Sequence, residues 1–394
     1  MMNVHASPAT RDLGARMRRV AEIAATHAGD VDAAGRFPRE AVQALRDERL
    51  LGAHIPVALG GDGASVGEIA ALCTQLGHAC SSAAMIFAMH QIKASSLITH
   101  GEDNPWHRGF MERIAREQLL LASATTEGGI GGNLRNSICA IEVDGDTCRL
   151  EKDATVISYG DEADAILITS RAHGDAAPSD QVMTVFLKGQ YTLEKTHDWD
   201  TLGMRGTCSD GFLFKGEAPA EQILPKPFAE IAAQSMLAYS HILWSALWYG
   251  IAADAFSRAQ AFVRAAARRS PGSTPPGALR LAEASSLLQG VKGSVVAAIE
   301  QYERARADDD ALSSMSFAVA MNNLKVASSQ TILTIINHCM LICGILGYKN
   351  GTPYSLGRHL RDAHSAQLMI SNDRILGNTS TMLLVHKQDT SLFG

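Results

Sequence analysis

The feature that most limits how this chain can fold is a double change in the period of its apolar residues. Through about residue 118 they recur at three- and four-residue spacing, as in "AVQALRDERLLGAHIP", "VGEIAALCTQLGHAC" and "AAMIFAMHQIKASSLITH", the spacing that puts them on one helix face. Pro56 and the Gly60-Gly61 pair punctuate that zone. From 119 to 216 the runs shorten or alternate, in "SICAIEVD", "TCRLEK", "ADAILITS", "QVMTVFLK" and "DGFLFKG", with Gly/Asp turns such as "VDGDT" between them, which is the pattern of strands. From about 226 the helical period returns in long pieces, and the prolines of "RRSPGSTPPGA" exclude one continuous helix through the first two. This order predicts an α+β multidomain protein: an N-terminal α-helical domain over 1–118, a central β-barrel or sandwich over 119–225, and a C-terminal four-helix bundle over 226–394. The stretch "ILWSALWYGIAADAF" is apolar around most of a helical circumference, which predicts burial on several sides, a second subunit included.

With 394 residues, 46% of them hydrophobic, the chain is long enough for a large shared core. Its net charge of −6 is scattered and no basic block occurs, so a small molecule is the expected partner and nucleic acid is not. The N-terminus lacks an apolar signal core and no segment runs to the ~18 uninterrupted apolar residues of a membrane span, so a cytoplasmic location without membrane contact is expected. Seven cysteines without a CxxC pair fit a reduced compartment. Cys339 and Cys343 are spaced either for a shared metal or as two buried core thiols, the commoner outcome.

The stretch "ATTEGGIGGN" places four glycines within Gly128 to Gly132. A dinucleotide fold needs G-x-G-x-x-G between a strand and a helix, but this spacing differs and "NLRNSICAIEVDG" leads into a strand. The Walker pattern fails as well, because no Gly-Lys-Ser/Thr follows. What remains is a loop whose backbone can approach a ligand closely, or a plain turn.

Taken together with "LLGAHIPVALGGDGAS", "VISYGDEADAILITS", "LGMRGTCSDGFLF", "CGILGY" and "LGRHLRDAHSAQL", in that order along the whole chain, the loop resembles the acyl-CoA dehydrogenase superfamily of flavoproteins. The resemblance implies FAD between the β-domain and the helical bundle, in a homodimer or homotetramer whose partner subunit completes the site. The family's T-E-P-G-A-G-S loop falls on Thr126 to Gly132, which implies flavin contacts at Thr125 and Thr126 and a substrate contact at Gly132 where the family has serine. W-I-T falls on Val156, Ile157 and Ser158, implying that Ser158 keeps the hydroxyl facing the flavin. Q-I-x-G-G-x-G falls on Leu341 to Gly347, where Gly344 and Gly347 survive. Arg268 or Arg269 stands near the place of the arginine that reaches the partner's FAD, and Asn372 is a further implied cofactor contact.

The family removes an α-proton from an acyl thioester with a carboxylate while hydride passes to flavin. Its two locations for that base fall here on Ile370 and on Ser240, the latter at the substrate wall, and neither is a carboxylate. A displaced base would be Asp373 or His241. The bland alternatives are a helix cap for Asp373 and a hydrogen-bonded core position for His241. The favoured reading is a FAD-dependent dehydrogenase of an acyl chain on CoA or a carrier protein, with an electron-transfer flavoprotein or oxygen as electron acceptor. The alternatives are a flavin monooxygenase of the same fold, fed by a flavin reductase and using His241 or His364 as proton donor, and a non-catalytic interaction protein on this scaffold.

Overall fold

The computed structural model describes residues 12–129 and 133–391. Five helices open it: α1 (Leu13–Ala34), α2 (Arg39–Asp47), α3 (Val66–Ala79), α4 (Ser81–His100) and α5 (Pro105–Glu117). Their starts are encoded locally. Asp12 accepts from Ala15 N at 2.7 Å, Ser65 and Glu68 form a capping box on α3, and Asn104 accepts from the Trp106 and His107 N–H groups, with Pro105 beginning α5. These contacts satisfy N–H groups that a first helical turn leaves without partners. The stretch "AVQALRDERLLGAHIP" is helical only through Asp47, after which Arg49 takes a left-handed φ of 54° and the chain turns.

Seven strands follow: β1 (Leu121–Ala124), β2 (Glu142–Asp144), β3 (Thr147–Ala154), β4 (Ala165–Arg171), β5 (Gln181–Leu187), β6 (Tyr191–His197) and β7 (Gly211–Pro219). They make two sheets, in the orders β1-β4-β5 and β2-β3-β7-β6. β1 runs parallel to β4 with Leu121 opposite Ala165, and β3 runs antiparallel to β7 from Thr147–Pro219 to Ala154–Phe212. β1 and β6 were not among the runs legible in the sequence, because β1 is too short to alternate and β6 is mostly exposed. The residues "SICA" form no strand of their own, only a bridge between Ala140 and Arg171. β3 shows the cleanest alternation, with Cys148, Leu150, Lys152 and Ala154 turned inward, and Lys152 is the exception to its apolar face.

The C-terminal part contains α6 (Phe228–Ile231), a π-helical turn (Ala232–Met236), α7 (Leu237–Arg269), α8 (Ala278–Ala305), α9 (Asp309–Ser313), α10 (Met315–Cys343), α11 (Ile345–Tyr348), α12 (Gly357–Leu368) and α13 (Asn372–Val385). α7 is about 50 Å long at 1.5 Å per residue and packs on α3, α4, α8 and α10. Its apolar circumference is thus covered largely within the chain. α10 is apolar and long enough, by length and composition alone, to cross a membrane. Here it is a core helix of the bundle, carrying buried Asn322, Lys325, Ser328 and Ser329 and packing on α7, α8, α12 and α13. Cys339 and Cys343 are free thiols whose pKa burial pushes up to about 12 and about 11. Among the described residues no cluster of His, Cys, Asp or Glu is placed to hold a metal.

Candidate active site

A cavity of about 660 Å³ lies where the N-terminal helices, the β-domain and the bundle meet, within the ~300–1,000 Å³ typical of small-molecule sites. Its β-domain wall is built of hydroxyls. Ser158 sits between two backbone anchors: Ile157 N donates to Asp210 O at 2.9 Å and Tyr159 N donates to Thr207 O at 2.9 Å. The buried Tyr159 hydroxyl donates to Leu121 O at 2.9 Å and ties this turn to β1. Ser209 Oγ donates to Ser158 Oγ at 2.8 Å, and Thr207 Oγ1 lies 2.8 Å from Ser209 Oγ and 2.9 Å from Met204 O. Thr125 and Thr126 extend the wall, the latter bonded to Val156 O at 3.4 Å.

The segment 199–209 is docked onto α12 at close quarters. A Cβ on Gly203 would stand 2.3 Å from Arg361 O, so only glycine fits there. Next to it Met204 N donates to Asp362 Oδ1 at 2.7 Å and Trp199 Nε1 donates to Met204 O at 3.0 Å. Arg361 itself is held by Asp32 of α1. Of the six non-glycine residues with left-handed φ among those described, Met204 and Ile370 line the cavity and Tyr159 and Cys208 adjoin its hydroxyls. Such conformations cost about 1–3 kcal/mol each and persist where the surroundings over-determine them.

Just before the Gly128-Gly129 pair lies a buried anchor. Glu127 is buried against Lys152, Oε1 to Nζ 2.9 Å, and accepts from Ser137 Oγ, from Ile138 N at 2.7 Å and from Cys139 N at 3.2 Å. Burial alone would raise its pKa, but the Lys152 ammonium, the Ser137 hydroxyl and the Ile138 N–H outweigh it and hold the carboxyl at about 2. This explains the inward Lys152 on β3: it neutralises the acid that fixes the start of the loop.

The helical wall is apolar with isolated polar groups. α4 contributes Met85, Met89, Ile92 and Lys93, and Met236, Ser240 and Trp244 come from the π turn and α7. Such a π turn shifts the helix register, a feature common beside functional sites. Ser240 Oγ is spent on Met236 O. Lys93 is only 3% exposed, its Nζ meets Met236 Sδ at 3.3 Å, and burial pushes its pKa down to about 7. The link between α12 and α13 closes the wall. There Ile370, at φ 48°, has its carbonyl fixed by Lys325 Nζ at 2.7 Å. Lys325 also donates to Asn372 Oδ1 at 2.7 Å and lies 5.9 Å from the centre of the Trp248 ring, and burial pushes its pKa down to about 8.

Two family models match this chain: the acyl-CoA dehydrogenase N-terminal domain over residues 7–138 and the acyl-CoA dehydrogenase C-terminal domain over 231–378. The chain belongs to the acyl-CoA dehydrogenase superfamily. Among its relatives is the Pseudomonas putida protein named "Probable FMNH2-dependent monooxygenase SfnC", 26% identical over 366 residues, covering 87% of this chain and 88% of the relative. Another is the amino sugar nitrososynthase DnmZ of Streptomyces peucetius, 25% identical, covering 92% and 90%. The fold matches FMN-bound TdsC from Paenibacillus sp. A11-2 with a TM-score of 0.83, at 17% identity and over 96% of this chain and 99% of that one.

As an acyl-CoA dehydrogenase superfamily member, the chain brings Thr125, Thr126, Ser158 and Ser240 together at one cavity. The others lie elsewhere. His241 is buried behind the wall, its Nδ1 2.9 Å from Met321 O and its ring stacked on Trp244, and burial pushes its pKa down to about 4. Asp373 is exposed in the first turn of α13, and neither it nor His241 belongs to the cavity lining. Asn372 is consumed by Lys325 and Ser329 in the core and faces no cofactor space within the chain. Arg268 is exposed at the end of α7, and Gly344 ends α10 among the exposed Leu341 and Ile345. Gly132 lies outside the described residues. His364, by contrast, lines the cavity. Reading by motif position missed Lys93, although a lysine inside the apolar stretch "AAMIFAMHQIKASS" is a visible signal.

Proposed function

We propose that this protein is a flavin-dependent monooxygenase acting on a small molecule held in the cavity. The observation that carries this reading is that no Asp or Glu lines the cavity among the described residues. An α,β-dehydrogenation needs a base within hydrogen-bonding reach of the substrate, and both family positions for it are occupied by Ile370 and Ser240. Oxygen insertion needs a shielded apolar pocket and a proton donor, and the cavity offers Met85, Met89, Ile92 and Trp244 for the one and Ser158 and His364 for the other. The names of SfnC and DnmZ favour the same branch. The dehydrogenase reading therefore yields first place.

The hydroxyl wall fits a flavin ring edge in either redox state. With the proton order Thr207 to Ser209 to Ser158, the Ser158 proton is left for an acceptor in the cavity. With the reverse order, Ser158 to Ser209 to Thr207 to Met204 O, a Ser158 lone pair is left for a donor. Thr125 and Thr126 supply further polar contacts. Bound and reduced, the flavin supplies the two electrons with which dioxygen gives one oxygen atom to the substrate and one to water. The chain's own part is to exclude bulk water with Met85, Met89, Ile92, Met236 and Trp244, to hold a proton at Ser158 Oγ, and to exchange one with solvent at His364. We assign FMN or FAD as the cofactor, FMN favoured by the name of SfnC. A reductase supplying reduced flavin is the expected partner. Exposed Leu341, Ile345, Tyr348, Leu368, Leu384 and Val385 favour a homo-oligomer.

The test supplies reduced flavin and isotope-labelled dioxygen with a panel of small aromatic, amine and sulfur compounds. One labelled oxygen in a product supports the reading. Flavin oxidation to peroxide alone across the panel, with acyl thioesters oxidised instead, would overturn it.

A further inference from the structure

Among the described residues, Lys93 is a buried lysine of the cavity lining with no acid partner. It is buried in α4 and lines the cavity, yet its Nζ has only the Met236 sulfur at 3.3 Å, a weak acceptor, and no carboxylate at ion-pair distance among the described residues. Buried ammonium groups ordinarily find partners, because an uncompensated charge inside a protein is expensive. The other buried lysines of the chain do so: Lys152 has Glu127, and Lys325 has a carbonyl and an amide oxygen.

We propose that Lys93 anchors an anionic oxygen group of the substrate, so that the substrate is a small apolar molecule carrying one carboxylate or a comparable oxyanion. Met85, Met89 and Lys93 follow one another at four-residue spacing and so form a stripe along one face of α4. From Met85 to Lys93 this stripe is about 12 Å long at 1.5 Å per residue, room for an apolar body over the methionines with its acid at the lysine. Among the described residues the lining opposes no acid to such an anion. The depressed pKa agrees with a partner supplied from outside, since an oxyanion beside Nζ restores the charged form that burial disfavours. The assignment rests on the cavity being the substrate site of a flavin enzyme.

The test uses flavin-loaded wild type and Lys93→Met and compares benzoate with benzamide, and hexanoate with hexanamide, by calorimetry. Each acid is expected to bind the wild type more tightly than its amide and to lose at least tenfold in Lys93→Met, while the amides change by less than threefold. In Lys93→Ala, added propylammonium should restore acid binding, a rescue that a packing role would not give. The proposal fails if no acid is preferred by the wild type, or if acid and amide weaken together. A loss of FMN affinity in Lys93→Met with riboflavin affinity unchanged would instead assign the lysine to the flavin phosphate and also overturn it. Flavin uptake by the wild type is measured first, so a chain that takes up no flavin refutes the proposed function separately from the acid and amide comparison.

Discussion

The two walls of the cavity are held by different physics. The β-domain wall is a backbone construction: Ser158 is pinned on both sides by main-chain bonds, and the loop beyond Thr126 starts from a buried Glu127–Lys152 pair. The helical wall is held by apolar packing, and its polar members are single groups set into helices: Lys93 facing the cavity, Lys325 fixing the Ile370 corner from behind. A buried cation with an acid partner is part of the scaffold. One without such a partner marks a place where the chain waits for something or holds a strained turn.

The contrast breaks first at Glu127. In Glu127→Gln the Lys152 charge stays buried without its acid, so the β-domain wall should lose about 3–5 kcal/mol, read as a lowered denaturant midpoint. The same pair sets a pH dependence. Glu127 is held at about 2 against an ordinary 4.5, so its stabilisation is fully present above about 4.5 and is lost as pH falls from there toward 2. Unfolding midpoints followed over that range should fall more steeply in wild type than in the Gln variant.

On the helical wall, Lys325→Met leaves Ile370 O without its donor and Asn372 Oδ1 with Ser329 Oγ at 3.3 Å, a loss of about 2–3 kcal/mol. Ile370 combines a left-handed φ with a carbonyl bonded to Lys325, so releasing that carbonyl should lower substrate affinity in this variant while flavin binding holds. Ser158→Ala should do the reverse. Removing one hydroxyl contact is worth about 1 kcal/mol, so flavin affinity should weaken about fivefold with the unfolding midpoint nearly unchanged. Smallest of all, Asp373→Asn should alter turnover by less than twofold, because the exposed carboxylate lies outside the cavity. A tenfold loss would return Asp373 to the role of base.

Much of the fold was legible in the sequence because the apolar period carries it. The helix, sheet, helix order and the Pro-rich break between α7 and α8 follow directly from side-chain spacing. β1 and β6 escaped because one is four residues long and the other has little buried face to show. The β-domain wall was legible too, since a hydroxyl held by local backbone keeps its place in a motif. The helical wall was not. Whether His241 faces the cavity or the core is decided by the rotation of α7, and that rotation depends on its packing against α3, α4, α8 and α10 together. Asp373 and Asn372 lie beside the strained Ile370 corner, whose geometry is set by a lysine 45 residues earlier than Ile370. No local pattern records either fact.

The central claim is that this cavity works without a carboxylate base, and anaerobic mixing of the oxidised, flavin-loaded protein with acyl-CoA thioesters of several chain lengths tests it most directly. The visible flavin band is expected to stay unbleached with every thioester. Rapid bleaching by any one of them would contradict the claim and restore the dehydrogenase reading.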